Sequence, residues 1–252
     1  MALTFVSQPA SADILYDWSN IQTGTGNGFN GANTSATGGG STLLGVTQTS
    51  PTPGQTMLSE RFVLSSISTI SSISFTGYST SSGYPFPPTS PFTSASLSIY
   101  SAQPGTAGAA VLFTSNTLSM TAWTGIYRVG ATDLTDRSRP VFTITMGFDN
   151  VLLSSGTYWA AWTVTGVVAP GAPGVSLSPP VMNPDGTSPI GTALRSFNGG
   201  ATWTPVLDNV NRQINVPLTV TGTAIPEPSA VGLVLVSAAG FAVAAFRTRR
   251  RE

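Results

Sequence analysis

Along much of the chain, apolar and polar residues trade places at every second position. Ala95, Leu97 and Ile99 alternate with Ser94, Ser96 and Ser98, and Phe142, Ile144, Met146 and Phe148 alternate with Val141, Thr143 and Thr145. Ile214, Val216, Leu218 and Val220 repeat the pattern, interleaved with polar residues and Pro217. A period of two puts one set of side chains on one face of a β-strand, where it can be buried. Segments 60–64, 70–78, 110–113, 126–129, 157–164 and 194–197 are rich in β-branched and aromatic residues and add further strands. Gly, Pro, Ser and Asn separate these runs at the spacing of hairpin turns. Only one stretch, near the C-terminus, is apolar in the manner of a helix. The pattern predicts an all-β body over residues 57–224, an antiparallel β-sandwich of jelly-roll-like type.

Residues 13–56 read differently. From Asn20 to Pro53 the chain is rich in Gly, Thr, Ser and Asn, including Gly38-Gly39-Gly40, with little to bury. The expectation is a loosely organised arm, with one edge strand around Leu43, Leu44 and Val46. Gly24, Gly26 and Gly28 have a spacing found in phosphate-binding loops, but no strand–helix unit surrounds them, so no nucleotide site is expected.

Composition narrows the chemistry. Charged residues make up 8% of the chain, and Cys, His and Lys are all absent. Between Asp13 and Ile225, six arginines face eight carboxylates, leaving no basic surface for nucleic acid. Without Cys there are no thiol nucleophiles, thiolate metal sites or iron–sulfur clusters. Without His the commonest general base is missing, and a serine–lysine pair is impossible. No G-x-S-x-G elbow occurs. The expectation is a protein without catalytic residues, cofactor or metal.

Two other readings remain open. Asp133 and Asp136 stand three residues apart beside Arg137 and Arg139, so a carboxylate-dependent enzyme acting on glycans would start there. The same pair, or Asp149-Asn150 and Asp208-Asn209, offers oxygen ligands for calcium without matching a known loop pattern. In a carbohydrate-binding module, Trp159, Trp162 and Tyr84 would be the candidates for stacking sugar rings. Trp159 and Trp162 are an odd number apart and so point to opposite faces of a strand, and Tyr84 opens the proline-rich Tyr84-Pro85-Phe86-Pro87-Pro88.

Ser196-Phe197-Asn198-Gly199-Gly200-Ala201-Thr202-Trp203 resembles the Asp-box, with Asn198 in the acidic place. The resemblance implies a hairpin whose Trp packs under its turn, away from any catalytic centre. A single copy argues against a propeller.

The C-terminal stretch carries the sharpest signal. Ala230–Phe246 holds 17 residues without a charge, about 25 Å as a helix, and Arg247, Arg249, Arg250 and Arg251 follow at once. Arginines of that kind stay on the cytoplasmic side, so the expectation is a transmembrane helix over 230–246 with the body outside. Before it stand Pro226, Glu227 and Pro228, a stiff segment unfit for sheet or helix. This three-part tail over 225–252 resembles the PEP-CTERM sorting signal of Gram-negative envelope proteins. Two strand segments, 97–105 and 153–162, also resemble extracellular domains that carry that signal. The resemblance implies three things. An exosortase, a membrane-embedded cysteine-protease-like enzyme, recognises the motif. The inner membrane holds the chain before processing, and the destination is the cell surface or an exopolysaccharide or biofilm matrix. At the other end, Ala10-Ser11-Ala12 is a small-residue cleavage site, but Met1–Pro9 has neither a positive charge nor a long enough apolar run. Residues 1–12 are read as the remnant of a secretory signal whose start codon lies upstream.

Overall fold

The computed structural model describes residues 12–37, 43–49, 55–168 and 174–225. Over these residues the chain is nearly all β, with one short 3-10 turn at Phe29–Gly31. One six-stranded sheet has the order β1 (Asp13–Trp18), β14 (Leu218–Ala224), β5 (Ser68–Gly77), β9 (Pro140–Leu153), β8 (Leu118–Val129) and β2 (Asn33–Ala36). A second six-stranded sheet has the order β13 (Thr204–Pro205), β12 (Leu194–Ser196), β4 (Met57–Leu64), β10 (Gly156–Val167), β6 (Phe92–Tyr100) and β7 (Val111–Ser115). A two-stranded piece joins β3 (Val46–Thr47) to β11 (Leu177–Ser178). The pairings are antiparallel except that β2 runs parallel to β8.

The period-two pattern accounts for the core. Leu58, Phe62 and Leu64 of β4, Leu97 and Ile99 of β6, and Ala160, Trp162 and Val164 of β10 join one buried cluster with Phe75, Ile144, Met146, Leu218 and Val220 of the other sheet. Trp162 bridges the two layers by stacking on Phe75, with ring centroids 4.8 Å apart. Each large side chain so buried stabilises the fold by about 1.5–3 kcal/mol before entropy is counted. The alternation also fails in places, for stated reasons. Ile214 and Val216 are buried, but the strand begins only after Pro217, which has no N–H to give to a ladder. Ile70 and Ile73 differ by an odd number yet both lie in the core. Register shifts between Ile70 and Ser72 on one side, and between Thr221 and Gly222 on the other, insert Ser71 as an extra residue and turn the strand.

The described residues of segment 13–56 are tied to the body. Its first six described strand residues form β1, which lies along β14 with Asp13 opposite Gly222. Its described polar stretch is fastened to the body by Arg128 from outside and by its own Gln48. Arg128 of β8 is fully buried and donates to Leu44 O (2.8 Å), Ser35 O (3.1 Å), Ser35 Oγ (2.9 Å) and Leu43 O. Gln48, equally buried, accepts from Trp162 Nε1 (2.9 Å) and donates to Ser176 Oγ (2.8 Å). Hydrogen bonds to buried partners thus replace the apolar residues that this segment lacks.

Among the described residues no helix is long and apolar enough to cross a membrane. The helix expected over 230–246 lies outside the described residues, as does residue 226 onward.

Candidate functional site

The sorting residues Pro226, Glu227 and Pro228 and the membrane-orienting Arg247, Arg249, Arg250 and Arg251 lie outside the described residues. What leads to them is visible. Strand β14 ends at Ala224, and the Ile225 N–H closes the ladder by donating to Ile67 O at 2.8 Å.

The three aromatic residues proposed for sugar stacking are all withdrawn from solvent, which corrects that expectation. Trp162 is 0% exposed in the core, held by Phe75 and Gln48. Trp159 does point to the other face of β10, but that face is covered too: Trp159, Ala161 and Thr163 are 6%, 0% and 3% exposed. Strand β10 is central to its sheet, between β4 and β6. Tyr84 is 5% exposed and sits 6.3 Å from the Phe142 ring. In that proline-rich segment the open aromatic is Phe86, which meets Phe29 and Trp123 edge-on.

The carboxylates read from the sequence are engaged locally. Asp133 Oδ1 accepts from the Thr135 N–H (3.1 Å) and hydroxyl (2.9 Å). Asp136 accepts from Ser138 N–H (2.8 Å) and pairs with Arg139. Asp208 accepts from Val210 N–H (2.9 Å), Arg212 N–H (2.8 Å) and Arg212 Nε (3.0 Å). Each shapes its own turn. Among the described residues no three acidic side chains gather as metal ligands would. The Asp-box-like segment forms the β12–β13 hairpin: Asn198 Oδ1 accepts from Thr202 N–H at 2.9 Å, and Trp203 Nε1 donates to Gly200 O at 2.9 Å.

Glu60 was not singled out by its sequence setting, yet it is the most perturbed acid. It is 0% exposed, between Leu58 and Phe62 on the core side of β4. Val216 N–H donates to Oε2 (2.9 Å), and Arg61 N–H (2.9 Å) and the Thr192 hydroxyl donate to Oε1. Burial pushes its carboxyl up to about 7, against the downward pull of those donors. No substrate reaches it; it fastens the segment before β14 to β4.

One surface combines access with unused polar groups. A groove of about 640 Å³ opens where β7, at the edge of one sheet, meets β5, β8 and β9 of the other, and it is lined by Ser71, Phe113, Thr114, Ser115, Asn116, Thr117, Ser119, Gly147, Phe148 and Asp149. Three neighbouring strands leave their register there. Ser71 is the extra residue of β5. Residues Phe148, Asp149 and Asn150 form an insertion in β9 opposite it, with Asn150 at a φ of 55°. Ser119 is an extra residue of β8. Bulges gathered in this way re-aim side chains that a regular ladder would alternate. A Cβ at Gly147 would lie 2.2 Å from Ser119 Oγ, so the hydroxyl would have to turn away to admit one. Ser115 Oγ donates to Gly147 O at 2.8 Å, and Gly147 N–H donates to Thr117 O at 3.1 Å, which fixes the floor. The rings of Phe113 and Phe148 meet at 5.3 Å along one side.

No family model, no curated protein and no solved structure matches this chain.

Proposed function

We propose that this chain is an exported, non-catalytic surface or matrix protein, delivered by an exosortase acting on Pro226-Glu227-Pro228 and resident in exopolysaccharide or biofilm. Its body is an antiparallel β-sandwich of jelly-roll type. The order β1-β14-β5-β9 in one sheet and β4-β10-β6-β7 in the other supports that assignment, because the first strand pairs with the last and the chain crosses between the sheets at β4–β5, β5–β6, β7–β8 and β9–β10.

The observation that carries the reading is where the first and last described strands lie. Strand β1 begins at Asp13, directly after Ala10-Ser11-Ala12, and β14 ends at Ala224, two residues before Pro226. The pairing of Asp13 with Gly222 brings both boundaries to one end of one strand pair. Cleavage at either place therefore leaves every strand of the described residues intact. A body with few charges and many hydroxyls suits a hydrated polymer matrix, and Glu60 is sealed in the core while Asp133 and Asp136 each brace a turn.

The test is to replace Pro226, Glu227 and Pro228 together by Ala in the native host and fractionate the cells. The unaltered protein reaches the surface or medium, and the variant accumulates in the inner membrane. Equal distribution of the two overturns the assignment of the motif.

A further inference from the structure

We propose that the groove between β7 and the β5–β9–β8 face is a binding site for a neutral glycan. The proposal rests on the reading of an exported body that meets polysaccharide, and it names the ligand class and the residues. Three observations point to it.

First, the polar lining is dominated by neutral hydrogen-bonding groups. Five hydroxyls, one carboxamide and one carboxylate face the groove, and neither Arg nor Lys is among its lining residues. A sugar ring presents hydroxyls that both donate and accept, and such a lining answers them in kind. A uronate, sulfate or phosphate would meet Asp149 with no cation to offset the repulsion.

Second, the exposed members have capacity to spare. Asn116, Ser119 and Asp149 are exposed. None of the three side chains hydrogen-bonds to another described residue, whereas Ser71 donates to Thr221 O and Ser115 to Gly147 O. The groove thus has a fixed inner layer and an unsatisfied outer one. Asp149 is the strongest acceptor of the set, since a carboxylate receiving a sugar hydroxyl makes a charge-assisted hydrogen bond.

Third, the aromatic pair supplies an apolar wall. Phe113 and Phe148, both half-buried, line the same groove as the polar groups. The C–H face of a pyranose ring packs against such rings while its hydroxyls turn to the polar side. Phe148 reaches this position because the insertion in β9 interrupts the alternation that buries Phe142, Ile144 and Met146.

The experiment is affinity electrophoresis of the purified full-length chain in gels containing neutral glucans, galactans or galactomannans, with polygalacturonate and a sulfated galactan as acidic counterparts. Retardation by at least one neutral polysaccharide is expected, and none by the acidic ones. Asp149→Asn and Asn116→Ala should each weaken binding about tenfold, the effect of losing one good hydrogen bond. Their melting temperatures should stay unchanged, since both side chains are exposed and lack intramolecular partners. Failure of every neutral polysaccharide to retard the chain overturns the proposal. So does tighter binding to an acidic one, unaltered binding by both variants, or binding lost instead with Phe86→Ala in the other exposed aromatic cluster. Because the assay uses purified protein, it can fail while the export reading stands, and the fractionation result can fail while glycan binding stands.

Discussion

Glu60 shows what a single position can and cannot announce in a sequence. It occupies the same parity as Leu58, Phe62 and Leu64, so a period-two reading of β4 already aims its carboxyl at the core. Parity alone does not say whether the strand turns or the acid is satisfied; Val216 N–H and the Thr192 hydroxyl come from far along the chain. Its burial has a consequence in solution. An unfolded chain releases this proton at the ordinary value near 4.5, and the folded one at about 7. Between those values the native state keeps a proton that the unfolded state has lost, so stability falls as pH rises through that window and then levels off. Thermal melts from pH 5 to 8 should show a declining melting temperature, and Glu60→Gln should flatten the decline. A variant that melts with the same pH slope as the parent would show that Glu60 is not the titrating group. The aromatic residues teach the complementary lesson. The odd spacing of Trp159 and Trp162 did place them on opposite faces, but spacing says nothing of what roofs the outer face of a central strand.

At the scale of elements, the strands with clean alternation were legible and the polar stretches were not. Strands β6, β9 and β10 follow from their apolar spacing, and the hairpin at 196–203 from its turn residues. Segment 20–53 looked like an arm because its own residues offer nothing to bury. Its described residues are held by Arg128 of β8 and by the segment's own Gln48, which reaches Trp162 and Ser176, and no pattern within the segment points to either partner. Among the described residues Arg128 has no carboxylate partner; its guanidinium is satisfied by carbonyls and a hydroxyl, and burial lowers its pKa to about 10. Replacing it by Met strands those acceptors in the interior, at about 1–3 kcal/mol for each one left without a donor. Arg128→Met should lower the melting temperature and speed amide hydrogen exchange first in residues 33–37 and 43–45. If exchange there is unchanged while the rest of the sheet loosens, Arg128 is not the fastener of that segment. The bulges were equally hidden. Nothing in Ser71 or Ser119 distinguishes them from the other serines, and only the register of the paired strands shows that they are extra residues.

For the molecule as a whole, two sheets and a shared core were within reach of the sequence, because burial of one face leaves a periodic trace. The pairing of first and last strands was not, since it depends on contacts between residues some two hundred positions apart. That pairing is what gives the account its shape. It gathers both boundaries of the body at one sheet edge, and the bulges of β5 and β9 lie in the neighbouring strands at that same end, where Ser71 donates to Thr221 O. The central claim is that the body is released from segments at both ends and stays outside the cell. The most direct measurement is the intact mass of the native protein recovered from the envelope and the medium. The account predicts a chain that begins at Asp13 and has lost Arg247–Glu252. A chain that keeps those arginines and is recovered from the cytosol would contradict it.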